Sequence, residues 1–160
     1  MSEQEKNKSI KVNKLKLKIT TPRGLKFTEE ADMVVMRCID GNLGVLPGHA
    51  PITSVLGDGT LRIVNNGSEK KLALFGGIVE VKDDTVNIFS TIAQRVEEID
   101  LERAKADLEA ARAAISENEE EMQFQNLRAL MYRSLVRIEV GTYMEDTDYF
   151  KEDDESEDDS

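Results

Sequence analysis

Apolar residues in the first part of this chain recur at every second position, and from Asp100 onward they recur at every third and fourth. Successive side chains of a strand point to opposite faces, whereas residues three and four apart share one face of a helix. A chain that keeps one period and then the other cannot form a single repetitive layer. It is expected to build an all-β block over residues 14–98 and to follow it with helices over residues 99–140.

The β reading rests on short runs separated by turn signals. Leu15, Leu17 and Ile19 alternate with Lys14, Lys16 and Lys18, the pattern of a strand with one wet face. Pro22-Arg23-Gly24 reads as a turn, after which Leu25 and Phe27 resume the alternation. Residues 33–39 are apolar on both faces and predict a more central strand. Asn66-Gly67, between apolar runs at 61–64 and 71–75, predicts a tight hairpin, and Asp83-Asp84 predicts another between 78–81 and 86–89. Strands this short and this regularly spaced predict a β-sandwich, or flattened barrel. Gly76-Gly77 lacks the following Gly-Lys-Ser/Thr of a phosphate loop and runs straight into a strand, so a bulge or close packing point is expected there.

Residues 40–61 are the most unusual segment, with five of the ten glycines and two of the three prolines. Leu43, Val45, Leu46, Ile52, Val55 and Leu56 nevertheless make it apolar. Glycine permits positive φ and proline fixes φ, so the chain should reverse sharply within packed β structure, with Pro47-Gly48 in a turn.

In the helical part, Leu101, Ala104, Leu108, Ala111 and Ile115 form one apolar stripe, and Asp100 stands where an N-cap is needed. Ser116-Glu117-Asn118 breaks the run, and Glu119, Glu120 and Glu121 suit the positive end of a second helix. Phe124, Leu127, Leu130, Met131, Leu135 and Ile138 carry that helix to Val140, with Gly141 as its expected stop. So short a link should set the two helices antiparallel. Two narrow stripes make a poor core, so the hairpin must lean on the sandwich or on a partner; permanent docking and mobility both fit. Residues 1–13 read as a disordered lead, and the acidic residues 141–160 as a disordered tail.

Charge narrows the function. Of the net −11, ten acids against one Lys between residues 144 and 160 supply −9, leaving a nearly neutral body. A nucleic-acid binder would show a basic footprint, so no nucleic-acid partner is expected. No run approaches the roughly 20 apolar residues of a membrane span, and the first residues lack the apolar segment of a signal peptide. Direct membrane insertion is therefore not expected. The lone Cys38, in an apolar run, reads as a buried structural thiol, and His49 as a structural or contact residue. One His and one Cys supply neither a metal cluster nor a nucleophile–base pair, so no catalytic residue is expected.

The helices hold a sharper candidate. Arg133 and Arg137 are four apart and share a face, and a reversal near Glu117 would set Arg103 opposite Arg133 and Asp100 near Arg137. Guanidiniums gathered this closely require an anion among them. Two sources fit: an exposed internal network with Asp100, Glu97, Glu98 or Glu139, or an external polyphosphate or partner carboxylate held by arginine forks.

Three stretches carry a resemblance. Gly41-Asn42-Leu43-Gly44-Val45-Leu46-Pro47-Gly48-His49-Ala50-Pro51, running on to Gly57-Asp58-Gly59-Thr60-Leu61-Arg62-Ile63, is the first. Ala73-Leu74-Phe75-Gly76-Gly77-Ile78-Val79-Glu80-Val81 and Ile99-Asp100-Leu101-Glu102-Arg103-Ala104 follow in order. Together they resemble the epsilon subunits of bacterial F-type, proton-translocating ATP synthases over residues 14–140. The resemblance implies a non-catalytic subunit of the central stalk, peripheral on the cytoplasmic face of the plasma membrane. Its sandwich would bind the gamma subunit and the c-ring, with Asn42 and His49 in the gamma/c-ring contact loop. Its hairpin would either fold on the sandwich or extend into the alpha/beta catalytic head and inhibit ATP hydrolysis. No cofactor is required, but the resemblance implies a regulatory ATP held by Ile99, Asp100, Arg103, Ala104, Arg133 and Arg137. The family pattern has Glu where this chain has Gln94, and an acid in some relatives where it has Asn42. The alternative reading is a β-sandwich and helical-hairpin adaptor of another protein complex.

Overall fold

The computed structural model describes residues 13–117 and 121–154; the expected 1–13 lead apart from Asn13, the readings at Asn118, Glu119 and Glu120, and the last six residues of the tail lie outside them. Ten strands come first: β1 Leu15–Thr21, β2 Gly24–Ala31, β3 Met33–Cys38, β4 Gly41–Val45, β5 Ile52–Leu56, β6 Gly59–Asn65, β7 Ser68–Phe75, β8 Gly77–Lys82, β9 Thr85–Phe89 and β10 Ile92–Arg95. A single 3-10 turn at Val96–Glu98 leads into α1, Leu101–Glu117, and then α2, Glu121–Asp154.

The strands form one curled sheet in the order β10-β7-β6-β3-β5-β8-β9-β1-β2, with β4 paired to β3. All pairings are antiparallel except β1 with β9. Side chains draw the two ends of the sheet together: Arg95 Nη2 donates to the Lys26 carbonyl at 3.1 Å, and Lys70 pairs with Glu29 at 2.8 Å. The curl turns one face of every strand inward. Leu15, Leu17, Ile19, Val34, Met36, Leu61, Ile63, Val79, Val81, Val86 and Ile88 fill that interior, which is the β-sandwich the period of two predicts.

Local chemistry explains the corners. Asn66 and Gly67 have φ of 51° and 77°, and Asp83 and Asp84 have 51° and 58°, so both predicted hairpins use the tight turns whose backbone matches strand twist. Gly77 is the close packing point: at its φ of 119° a Cβ would stand 2.0 Å from the Phe89 carbonyl oxygen. The Pro47-Gly48 turn forms as expected, closed by His49 N–H donating to the Leu46 carbonyl at 3.2 Å and pinned by Gly48 N–H donating to Asp84 Oδ1 at 2.7 Å.

The central strand expected at 33–39 is there as β3, and only the burial along it and along the 40–61 segment departs from the apolar pattern. β3 is hydrogen-bonded along both edges, yet only Val34, Met36 and Cys38 are buried, while Arg37 is exposed. Central in the ladder does not mean covered on both faces, because the sandwich has only one interior. Likewise Val45 and Leu56 of the 40–61 segment are buried, but Leu46, Ile52 and Val55 remain exposed.

The helices lie side by side as an antiparallel hairpin, and Ala104, Leu108 and Ala111 form the buried stripe of α1. Asp100 caps α1 as predicted, its Oδ1 accepting the Arg103 N–H at 3.1 Å. α2 departs from expectation twice. Its most buried side chains are Ser134, Val136 and Val140, whereas Leu130 and Leu135 stay exposed. The reason is that α2 serves two surfaces: α1 on one side, and on the other Ala73 and Phe75 of β7, against which Val136 and Val140 pack. Nor does α2 stop at Gly141. That residue is a packing site, where a Cβ would come within 3.1 Å of Leu101 Cδ1, and the helix continues to Asp154. The first fourteen residues of the expected disordered tail are therefore helical.

Candidate functional site

α2 crosses the outer face of β6 and β7, and a row of polar contacts fixes it there. Arg133 Nε donates to Asp58 Oδ2 at 2.9 Å, Arg137 Nε to Gln94 Oε1 at 2.8 Å, and Thr60 Oγ1 to Glu139 Oε2 at 2.9 Å. Tyr143 donates its hydroxyl to the Glu69 carbonyl at 2.8 Å. Following the helix from Arg133 to Tyr143 follows β6 and β7 from their Asp58 end to their Glu69 end. The hairpin is thus held at its base, while its far tip, with Met122 82% exposed, touches little.

At that base a pocket of about 320 Å³ opens between the 3-10 turn, the start of α1 and α2. Its lining is Gln94, Glu98, Ile99, Asp100, Arg103, Ala104, Asp107 and Arg137. Five of the six nucleotide-site residues expected from the sequence are therefore brought together. Each element contributes for a local reason. Asp100 must precede α1 to cap it, which places Arg103 and Asp107 on successive turns of one face. Arg137 reaches the same space from α2 because Val136 and Val140 dock the helix on either side of it.

The sixth residue, Arg133, does not line the pocket. The expected pairing set Arg103 opposite Arg133, but α1 runs through Glu117 and the helices reverse later, so the register shifts by about one turn. Gly141 consequently lies on Leu101, and Arg103 comes to Arg137 instead. Arg133 turns to Asp58, a residue that helical periodicity could not have flagged because it stands between β5 and β6. Both guanidiniums also lie over the buried Phe75 ring, Arg137 at 4.6 Å and Arg133 at 5.4 Å from its centroid.

The pocket gathers charges of both signs, Arg103 and Arg137 beside Glu98, Asp100 and Asp107. Burial is the main force pushing the Arg137 guanidinium below its usual range, followed by the charge of Arg133; Arg103 adds to it, and Asp107 and Asp58 oppose it. Arg103 has a charged head with no ion pair among the described residues. For Glu98 burial is the largest influence and acts upward, yet the Arg95 N–H and Lys26 together bring its carboxyl below the ordinary value. Its Oε2 stands 2.8 Å from the Arg95 nitrogen and 2.9 Å from Lys26 Nζ.

Asn42 and His49 are not brought together. Asn42 is exposed in β4 opposite Arg37, and His49 lies beyond the other end of that strand with its Nδ1 2.7 Å from the Ala50 carbonyl. A second feature escaped the sequence reading. Ile39, Val55, Ile78 and Phe89 form an exposed apolar row on the face of β5, β8 and β9 that the hairpin leaves uncovered. The register makes the row continuous: Val55 faces Ile78, Ile78 faces Phe89, and the Ile39 N–H donates to the Val55 carbonyl at 3.0 Å. Outward parity at 78 and 89 was the available signal. No helix among the described residues is long and apolar enough to cross a membrane.

The chain resembles known proteins over most of its length. Residues 14–96 match the family described as ATP synthase, Delta/Epsilon chain, beta-sandwich domain. An ATP synthase epsilon chain of Desulforamulus reducens is 36% identical over 126 residues, covering 79% of this chain and 96% of that one. One of Geotalea daltonii is 39% identical over 129 residues, covering 80% and 94%. Among solved structures, a chain of the Euglena gracilis mitochondrial ATP synthase, in an assembly of OSCP, F1 and c-ring, superposes with a TM-score of 0.60 at 26% identity. It covers 84% of this chain and 81% of that chain. With a sandwich matched over its whole length and relatives matched through the hairpin, this chain belongs to the epsilon-chain family of the ATP synthase central stalk.

Proposed function

We propose that the chain is a non-catalytic coupling and regulatory subunit, joining gamma to the c-ring through its sandwich and sensing ATP through its hairpin. The observation that carries the first half is the uncovered row of Ile39, Val55, Ile78 and Phe89. A contiguous apolar strip of this kind on a water-soluble face calls for a protein partner, and in a central-stalk subunit that partner is gamma. The exposed end of β4 at Asn42 and the His49 turn supply the c-ring contact. Relatives from bacteria support a peripheral position on the cytoplasmic face of the plasma membrane.

The pocket at the hairpin base carries the second half. Arg103 and Arg137 suit phosphate oxygens, while Asp107 and Glu98 suit the hydroxyls and amine of a nucleoside. The docked hairpin builds this pocket from both helices, so ATP binds the docked state better and holds it. Released, the hairpin would reach the alpha/beta head and restrain hydrolysis. Calorimetry on the full chain tests the site: ATP should bind, and Arg103→Ala should weaken it about tenfold. Unchanged affinity in that variant rejects the pocket. Pull-down with recombinant gamma tests the strip, where Phe89→Asp should abolish capture and wild-type-like capture would reject it.

A further inference from the structure

We propose that Asp58 is an internal stand-in for a phosphate, holding Arg133 out of the pocket until a nucleoside triphosphate draws that guanidinium across. The inference rests on the nucleotide reading of the pocket and adds its regulation. Its starting point is charge. The pocket lining carries two guanidiniums, Arg103 and Arg137, against three carboxylates, Glu98, Asp100 and Asp107. Glu98 is matched by Lys26, and Asp100 is committed to capping α1, but a triphosphate still arrives where cationic charge is short. Arg133 supplies the missing charge from one helical turn away, over the same Phe75 ring as Arg137.

Of the two partners in the Arg133–Asp58 pair, only one can move. The Asp58 loop is fixed by the Gly57 N–H donating to the Arg37 carbonyl at 3.0 Å and by Gly59, whose Cβ would stand 2.9 Å from Arg37 Cβ. Arg133 is a long side chain with 42% of its surface exposed, and it meets Asp58 through one nitrogen rather than a fork. The carboxylate left behind, 23% exposed, can be hydrated. Transfer therefore exchanges a single charge-assisted hydrogen bond for a bidentate one to phosphate. Asp58 sets the nucleotide concentration at which the exchange occurs.

Titration calorimetry of the full chain with ATP and with inorganic triphosphate decides the matter. Asp58→Asn keeps the side-chain shape and should tighten both ligands by about three- to tenfold. The gain should vanish when Arg133→Ala is added, because the two changes act through one contact. A wild-type chain that binds ATP, beside an Asp58→Asn variant with equal or weaker affinity, overturns the proposal and leaves Asp58 only a latch for the docked helix. Should neither wild type nor variant bind ATP or triphosphate, the nucleotide reading itself fails and this inference with it.

Discussion

Each strand of the sandwich sends alternate side chains into one shared interior, whereas the hairpin buries only a few residues, with α1 packed on α2 and α2 divided between α1 and β7. Leu17, Ile19, Val34, Val79 and Ile88 lose all contact with water, while α1 buries only Ala104, Leu108 and Ala111. Removing a Leu from water stabilises by roughly 2 kcal/mol and an Ala by far less, so the two regions differ severalfold in what anchors them. The hairpin's hold is also uneven. Val136, Val140 and the polar row from Arg133 to Tyr143 fix the base, and Met122 near the tip is 82% exposed. A region anchored at one end by a small apolar patch and some partly exposed hydrogen bonds is held less firmly than the block beneath it. The proposed nucleotide pocket, lined from the 3-10 turn and both helices, would draw on that difference.

Substitutions can break the contrast or sharpen it. The largest effect is expected at Gly77, where Ala would place its Cβ against the Phe89 carbonyl and adopt positive φ. We expect Gly77→Ala to destabilise the sandwich by about 4 kcal/mol, read from the urea midpoint. A wild-type midpoint would mean that the β8 corner is not as tight as described. In the interior, Leu17→Ala should cost about 3 kcal/mol in the same measurement. Val136→Ala should cost only about 1.5 kcal/mol, and its effect should be confined to amide exchange in α1 and α2. If exchange rose equally in β1 and β9, the two regions would be one cooperative unit and the contrast would be lost.

Acid should act on the sandwich through Asp32. Its hydrogen bond from Lys14, and then that from the Asn66 N–H, hold its carboxyl below the ordinary value. A folded pKa below the unfolded one gives stability that is complete above the unfolded value and is lost as pH falls through the folded one. Asp32→Asn should therefore flatten the acid limb of a stability–pH curve, and an unchanged slope would remove Asp32 from the account. The smallest change is expected at the hairpin tip, where Met122→Ser should shift stability by less than about 0.5 kcal/mol by calorimetry.

Local rules carry far in this chain because its elements are locally consistent. Alternation placed the buried face of β1, Asn66-Gly67 and Asp83-Asp84 placed two turns, and Asp100 placed the start of α1. The candidate site was legible to the extent that one motif, residues 99–104, sits at the junction of the two periods. Periodicity was silent wherever a residue answers to a distant neighbour. Gly141 looked like a helix stop and proved to be the flat spot on which Leu101 packs. Leu135 looked like a core residue, but α2 turned Val136 to the sandwich instead.

The amino-acid order alone determined the two-part architecture, the tight corners and the cap of α1, because each depends on backbone preferences within a few residues. Tertiary structure decided the helix register, the diversion of Arg133 to Asp58 and the uncovered row from Ile39 to Phe89. Those outcomes depend on which surfaces meet. A charge 75 positions along the chain leaves no mark on the local pattern around an arginine, yet at 2.9 Å it determines where that arginine points.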